Sequence, residues 1–178
     1  MKKFSLFFIV FFALMSAKPQ KIVKDVIDEF EGIRIIETNW IQFLQGMDTY
    51  NIKFSSVGTK QFMSLKIMAS IASAVFAVEE GEGQVIFLLS DGNTIRFTNT
   101  KYAITGKGKG ATGFAGSAGE GISLTLVSDD LNILLTGVSI IKMRVYTSNG
   151  RLECEINEKK SKAIINSYRL IYERIKKL

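Results

Sequence analysis

One segment constrains the fold more than any other: an alternating run, Ile140–Ile156, that is interrupted once by Asn149-Gly150. Asn-Gly between two alternating runs is the strongest short-range signal for a β-hairpin, because a type I′ turn needs positive φ at both of its central residues. The segment therefore predicts an antiparallel ribbon that turns at Asn149-Gly150.

Counting outward from that turn predicts the partner of each residue in the ribbon. The predicted pairs are Ser148/Arg151, Thr147/Leu152, Tyr146/Glu153, Val145/Cys154, Arg144/Glu155 and Met143/Ile156. Successive side chains of a strand point to opposite faces. The apolar pairs therefore share one face, which we expect to be core, and the charged pairs share the other, which we expect to be exposed. Arg144 and Glu155 are expected to form a surface ion pair.

The first seventeen residues have the layout of a secretory signal peptide. Lys2 and Lys3 precede an apolar run, Phe4–Leu14, and small residues follow at Ser16 and Ala17. This apolar run falls short of the roughly 20 residues that a transmembrane helix needs. We therefore expect a signal peptide at residues 1–17, export to the periplasm or the cell surface, and no integral membrane span after cleavage.

Residues 18–178 suit one β-rich domain, because a chain of this length can build a single sizeable core. The leader contains two lysines and no acidic residue, so its removal lowers the net charge from +6 to +4. Basic residues are spread along the chain and do not cluster into a patch. We therefore expect no nucleic-acid partner.

The composition excludes several kinds of active site. The chain has no histidine and one cysteine, Cys154. The commonest zinc ligand and the base of the usual nucleophile triads are therefore missing, and no intramolecular disulfide can form. The ribbon register turns Cys154 inward, where a free cysteine packs as a small hydrophobe. We expect no metal, no cofactor and no catalytic residue.

A glycine-rich stretch, Gly106–Gly121, holds seven glycines in sixteen residues. It contains a G-x-G-x-x-G motif at Gly108–Gly113, but a dinucleotide site needs a preceding strand and a helix that begins within the motif. Further glycines follow and would break such a helix. We interpret the stretch as a surface loop.

Periodicity along the rest of the chain predicts further strands and two helices. In chain order we expect a short helix at Lys18–Glu29, strands at Ile33–Phe43, Tyr50–Val57, Gln61–Met68 and Ile71–Val78, a hairpin at Gln84–Thr98 around Asp91-Gly92, a strand at Ile122–Val127, a short turn at Leu131–Leu135 and an amphipathic helix at Glu158–Leu178. In the Gln84–Thr98 hairpin, counting from the turn pairs Leu88 with Ile95 and Leu89 with Thr94. Both faces then carry hydrophobic residues, so we expect both to be covered.

Together these patterns predict a mainly β protein. The expected fold is an antiparallel β-sandwich or curved sheet of about eight strands with a C-terminal amphipathic helix, and a partly open barrel is the alternative. The expected function is that of an exported, non-enzymatic binding or structural protein with an unknown protein or glycan partner. Candidate binding residues are Trp40, Arg34, Lys142, Arg144 and Tyr146. Trp40 can be either a core anchor or a stacking platform.

Paired carboxylates leave a glycan-active hydrolase as the alternative function. The candidate acids are Glu79, Glu80 and Glu82, Asp129 and Asp130, and Glu153 and Glu155. Each of them also has a plain structural role in a turn, a helix cap or a cross-strand pair.

Several segments occur together in an order that is shared with a group of exported proteins. They are Phe30–Arg34 leading to Trp40, Ser90–Gly92, Gly110–Ser123 and Ile141–Gly150. In this order they resemble small exported β-rich proteins of Bacteroidota. The resemblance implies a β-rich domain with a C-terminal helix and no assigned activity, and it assigns no catalytic residue.

Overall fold

The structure is a computed structural model that describes residues 19–46, 48–69, 76–105, 113–116 and 119–177. The described part contains thirteen strands, one 3₁₀ helix and one α-helix. The elements are β1 (Ile22–Ile27), β2 (Arg34–Thr38), β3 (Ile41–Gln45), β4 (Asp48–Val57), β5 (Lys60–Ala69), β6 (Ala77–Val78), β7 (Gly81–Leu89), β8 (Thr94–Asn99), β9 (Ala103–Ile104), β10 (Gly113–Gly116), β11 (Gly119–Val127), the 3₁₀ helix (Asp129–Thr136), β12 (Ile140–Thr147), β13 (Gly150–Glu155) and α1 (Glu158–Ile175).

Eleven of these strands form one antiparallel sheet. Its order is β1-β2-β4-β5-β11-β8-β7-β12-β13, with β3 paired to β4 and β10 paired to β11. The two halves of the sheet join where β11 meets β8, over the pairs Leu126/Asn99 and Val127/Thr98. Strands β6 and β9 form a separate two-stranded sheet. The predicted fold class, a mainly β antiparallel sheet with a C-terminal helix, is confirmed, although the strands outnumber the predicted eight or so.

Helix α1 covers the buried face of both halves of the sheet. It contacts β2, β3 and β4 in one half and β12 in the other. Its side chains Ile164, Tyr168 and Ile171 are fully buried, as their helical spacing predicts. The ring of Tyr168 lies 5.5 Å from the ring of Phe54, measured between centroids. Sheet and helix therefore share one hydrophobic core.

The predicted N-terminal helix at Lys18–Glu29 is wrong, because the described part of this segment contains strand β1. Ile22–Ile27 pairs with β2 in antiparallel register. Four of its six residues are isoleucine or valine, which fit a pleated strand well, and pairing with the sheet overrides a short and weak helical periodicity. A turn then leads from Asp28 to Gly32, whose φ is +66°.

The predicted strand Ile33–Phe43 is interrupted by a bulge. Glu37 pairs with Ser55 and Ile41 pairs with Ile52, so three residues of this segment oppose two residues of β4. The side chain of Thr38 fills the gap in the backbone ladder. Its hydroxyl accepts a hydrogen bond from Phe54 N at 3.0 Å and donates one to Phe54 O at 3.2 Å. The bulge therefore divides one predicted strand into β2 and β3.

The predicted hairpin of the Ile140–Ile156 segment forms, but its turn lies one residue earlier than expected. Thr147 pairs with Gly150, and Arg144 pairs with Glu153 rather than with Glu155. No non-glycine residue in the described part has positive φ, so Asn149 does not adopt the type I′ conformation. Gly150 takes a φ of +111° instead. The observed partner of each β12 residue therefore lies two positions before the predicted one. The buried and the exposed face of the hairpin are as predicted.

The register of the Gln84–Thr98 hairpin differs by one residue from the predicted one, so the predicted pairs join residues that lie on opposite faces. Leu88 pairs with Thr94, and the turn places Gly92 at a φ of +87°. One face is buried, with Val85, Phe87, Leu89, Ile95 and Phe97. The opposite face carries Ile86 and Leu88 but is not covered, so the prediction that both faces are buried is wrong.

Part of the glycine-rich stretch is a strand pair rather than a loop. Gly113–Gly116 pairs with the first residues of β11. Residues 106–112 and 117–118 lie outside the described residues, as do the predicted signal peptide and the first five residues of the predicted strand Ile71–Val78. The predicted strands at Tyr50–Val57, Gln61–Met68 and Ile122–Val127 and the helix that begins at Glu158 are confirmed, whereas the predicted short turn at Leu131–Leu135 is part of the 3₁₀ helix Asp129–Thr136.

Candidate functional site

The outer face of β8, β7, β12 and β13 brings three of the predicted binding residues together. On β12, Met143 and Val145 point into the core. Because side chains alternate along a strand, Lys142, Arg144 and Tyr146 stand on the opposite, outer face. The neighbouring strand β7 adds its own outward residues beside them.

A cavity of about 250 Å³ lies on this face. We call it the outer-face groove, and its lining consists of Ile86, Leu88, Thr94, Arg96, Lys142, Arg144 and Tyr146. Ile86 and Leu88 are apolar, and they stand on this outer face because they alternate along β7 with the buried residues Val85, Phe87 and Leu89. The groove therefore combines two aliphatic side chains with three cationic ones.

One carboxylate, Glu153 on β13, is shared by several cations beside the groove. Its Oε1 lies 2.6 Å from Arg144 Nη2 and 3.4 Å from Arg151 Nε, and its Oε2 lies 3.6 Å from Lys142 Nζ. The hydrogen bond from Arg144 holds the pKa of Glu153 below its ordinary value. Three positive charges facing one negative charge leave a net positive field over the groove.

Tyr146 orients the central cation of this cluster. Arg144 Nη1 lies 3.4 Å from the Tyr146 hydroxyl oxygen, and the guanidinium carbon lies 6.0 Å from the centroid of the Tyr146 ring. Contact with Tyr146, and then with Glu153, raises the pKa of Arg144. Arg96 stands on the other side of the groove, and no carboxylate among the described residues forms an ion pair with it.

The groove can bind an anionic group that adjoins a small apolar group. Guanidinium groups pair with carboxylates through two parallel hydrogen bonds, and aliphatic side chains beside them can bury an apolar group. The volume is slightly below the range of about 300–1,000 Å³ that is usual for small-molecule pockets. It suits a single side chain or a group of similar size.

Trp40 lies elsewhere, at the bulge between β2 and β3. It lines a second cavity, of about 350 Å³, with Gln20, Ile41, Gln42, Asn51, Lys159, Lys160 and Ala163. Lys53 Nζ and Lys66 Nζ lie 5.1 Å and 4.8 Å from the centroid of its ring. The indole is half-buried on lysine side chains, which makes it neither a core anchor nor a freely exposed platform.

Arg34 serves a structural contact and lines neither of these cavities. Its Nε and Nη2 donate to the two carboxylate oxygens of Asp25, at 2.5 Å and 2.9 Å. Arg174 from α1 reaches the same carboxylate at 2.6 Å. The five predicted binding residues are thus divided among three places, and only Lys142, Arg144 and Tyr146 share one.

The predicted set does not include Arg96, Ile86 and Leu88, which complete the groove. The expected register of the β7–β8 hairpin places both of its faces in the interior. The strict alternation of polar and apolar residues over Thr94–Phe97 could have identified them, because it indicates a strand with one exposed face.

Other functional groups are sparse in the described part of the chain. No cluster of three or more histidine, cysteine, aspartate or glutamate residues that could hold a metal ion occurs among the described residues. Burial raises the pKa of the Cys154 thiol to about 11, so it is protonated at neutral pH. No described helix has both the length and the apolar character needed to cross a membrane.

Comparisons of the chain with protein-family models, curated protein sequences and solved structures found no match. The resemblance to exported β-rich proteins therefore stays a prediction. The geometry and charge of the outer-face groove are the basis on which a function can be proposed.

Proposed function

We propose that this chain is an exported, non-enzymatic binding protein of the periplasm or cell surface, and that its outer-face groove binds an anionic group of a protein or glycan partner. The groove itself carries the proposal: three cations surround two aliphatic side chains, and the neighbouring carboxylate of Glu153 offsets only part of their charge. A signal-like segment at residues 1–17 supports export.

The pKa shift of Glu153 argues against a role for this residue as the acid of a glycosidase. A glycosidase needs a carboxylic acid whose pKa is raised, so that it can protonate the leaving group. Arg144 shifts the pKa of Glu153 in the opposite direction. The linings of the outer-face groove and of the Trp40 cavity, both within the described residues, contain no carboxylate.

Chromatography on immobilised poly-L-glutamate and on immobilised heparin tests the proposal. The protein should be residues 18–178, either unchanged, with Arg96→Ala and Arg144→Ala together, or with Lys101→Ala and Lys177→Ala together. Both double variants lose two positive charges, but Lys101 and Lys177 are exposed residues outside the groove. We expect the groove variant to elute at clearly lower salt than the control variant on at least one matrix. Equal elution of the two variants on both matrices would contradict the proposal.

An activity assay tests the non-enzymatic part separately. The unchanged protein should release no reducing ends from a panel of acidic and neutral polysaccharides. Release that disappears in Glu153→Gln would overturn this part of the proposal and establish the hydrolase alternative.

A further inference from the structure

The turn between β1 and β2 presents a fully exposed aromatic side chain. Phe30 is 100% exposed, so the whole apolar surface of its ring is available for contact. The turn that carries it is well ordered by hydrogen bonds. Asp28 Oδ1 accepts from Phe30 N at 2.9 Å and from Glu31 N at 3.0 Å, and Asp28 O accepts from Gly32 N at 2.8 Å. The exposure of Phe30 is therefore a property of a defined turn.

Acidic residues flank Phe30 in the sequence of this turn. Asp28 and Glu29 precede Phe30, and Glu31 follows it. None of these three carboxylates forms an ion pair with a basic residue in the described part of the chain. We call residues 28–31 the acidic knob, because they combine one protruding ring with three uncompensated negative charges.

The acidic knob and the outer-face groove are complementary in charge and in polarity. We propose that the partner of the groove is a second copy of this chain, with Phe30 of one molecule inserted between Ile86 and Leu88 of the next. Arg96, Lys142 and Arg144 then face the carboxylates of the knob. This inference rests on the proposed function of the groove and names its partner.

The volume of the groove also fits this occupant. About 250 Å³ suits one aromatic side chain better than a ligand of drug size. The knob lies at the β1 end of the sheet and the groove near the β13 end. One contact leaves a free groove on the first molecule and a free knob on the second, so further copies can add head to tail.

Sedimentation velocity of residues 18–178 over a range of concentrations tests the proposal. We expect the unchanged protein to form dimers and longer species as concentration rises, and to dissociate when salt is added. Phe30→Ser, which removes the ring, and a variant with both Arg96→Glu and Arg144→Glu should each remain monomeric. Leu44→Ser is the matched control, because Leu44 is also an exposed apolar residue, and it should associate like the unchanged protein.

Mixing the two monomeric variants is the decisive step. Each variant retains the surface that the other lacks, so an equimolar mixture should form a one-to-one dimer that does not grow further. A mixture that stays monomeric, or a Phe30→Ser variant that associates like the unchanged protein, would overturn the proposal. Circular dichroism should confirm that the variants are folded, and the single change Arg96→Glu replaces the double variant if that one does not fold.

Chromatography on polyanions distinguishes a failure of the self-association proposal from a failure of the proposed function of the groove. The Phe30→Ser variant keeps the groove intact and should bind poly-L-glutamate or heparin like the unchanged protein. If retention depends on Arg96 and Arg144 but the unchanged protein is monomeric at every concentration, self-association is overturned while the function of the groove stands. If retention is also independent of these arginines, both proposals fail.

Discussion

Glu153 offsets part of the charge of the adjacent cations, so it should weaken the anion binding that we propose for the groove. Replacing it with glutamine removes the negative charge and keeps the shape of the side chain. We expect Glu153→Gln to elute from poly-L-glutamate or heparin at higher salt than the unchanged protein. Glu80→Gln, an exposed residue outside the groove, controls for the change in net charge. Earlier or equal elution of Glu153→Gln relative to this control would show that Glu153 does not oppose binding.

Thr38 supports the bulge with a buried hydroxyl. Besides its two bonds to Phe54, its oxygen accepts a hydrogen bond from Ser167 Oγ at 2.8 Å, which ties the bulge to α1. Thr38→Val keeps the shape but leaves these buried groups without their partner. We expect the free energy of unfolding to fall by about 1–3 kcal/mol.

Urea denaturation of Thr38→Val and Thr100→Val measures this effect. Thr100 is exposed and donates to Thr125 O at 3.0 Å, so the same substitution there should change stability by less than about 0.5 kcal/mol. Equal losses in the two variants would show that the hydroxyl of Thr38 has no special role at the bulge.

At the scale of single elements, the β7–β8 turn depends on one glycine. Gly92 has a φ of +87°, and no atom lies within 4 Å of the position that a Cβ would occupy. A side chain there is strained by the backbone conformation and not by a clash. Gly92→Ala should lower the free energy of unfolding by about 1–2 kcal/mol.

Gly92→Asn is the informative companion, because asparagine adopts positive φ more readily than alanine does. It should lose less stability than Gly92→Ala when both are measured by chemical denaturation. If the asparagine variant is the less stable of the two, backbone strain is not the main effect at this position.

The two hairpins show how far strand register could be predicted from sequence. In the β12–β13 hairpin the predicted partner of Arg144 is two residues away from the observed one, and the buried face is correct. In the β7–β8 hairpin the predicted partner of Leu88 is one residue away, and the prediction that both faces are covered is wrong. Side chains alternate with a period of two, so an even error still pairs residues of the same face, whereas an odd error pairs inward with outward residues and makes both faces look apolar. The dipeptides Asn149-Gly150 and Asp91-Gly92 predict that a turn is present, but they do not determine the exact register of the strands on either side.

The residues of the candidate site could be predicted from the sequence only in part. Alternation within β12 is sufficient to place Lys142, Arg144 and Tyr146 on one exposed face. The role of Arg34 depends on Asp25 and on Arg174, which is distant in sequence and approaches only when α1 packs on the sheet. Contacts of this kind are set by tertiary packing, which no local pattern encodes.

At the scale of the whole molecule, Asp25 connects the N-terminal edge of the sheet to the C-terminal helix. Its carboxylate receives hydrogen bonds from Arg34 on β2 and from Arg174 on α1. The contact with Arg34, supported by Arg174, holds the pKa of Asp25 below its ordinary value of 3.8. A carboxylate with a lowered pKa stabilises the folded state above the pKa it has in the unfolded chain, and the stabilisation disappears as pH falls through its folded pKa.

Unfolding experiments on Asp25→Asn at two pH values test this connection. The variant should be less stable than the unchanged protein near pH 7, and the difference should shrink as pH falls below 3.8 and through the lowered pKa of Asp25, where this carboxylate becomes protonated. Glu29→Gln, a neighbouring acidic residue without an ion pair among the described residues, should show no such pH-dependent difference. A constant difference for Asp25→Asn at both pH values would rule out the charge of Asp25 as the cause.

Trp40 is the only tryptophan of the chain, and it lies at the bulge between β2 and β3, where one extra residue interrupts the pairing with β4. The indole fluorescence of the folded protein therefore originates at one known point, next to the ammonium groups of Lys53 and Lys66. Tryptophan emission and circular dichroism can be recorded during the same denaturation. The first signal reports unfolding around Trp40, and the second reports unfolding of the whole sheet. Coincident curves would mean that the bulge opens only with the rest of the molecule, and an earlier change in emission would identify it as an independently opening unit. The protein carries its own optical probe of this bulge, so the opening of the bulge can be followed without an added label.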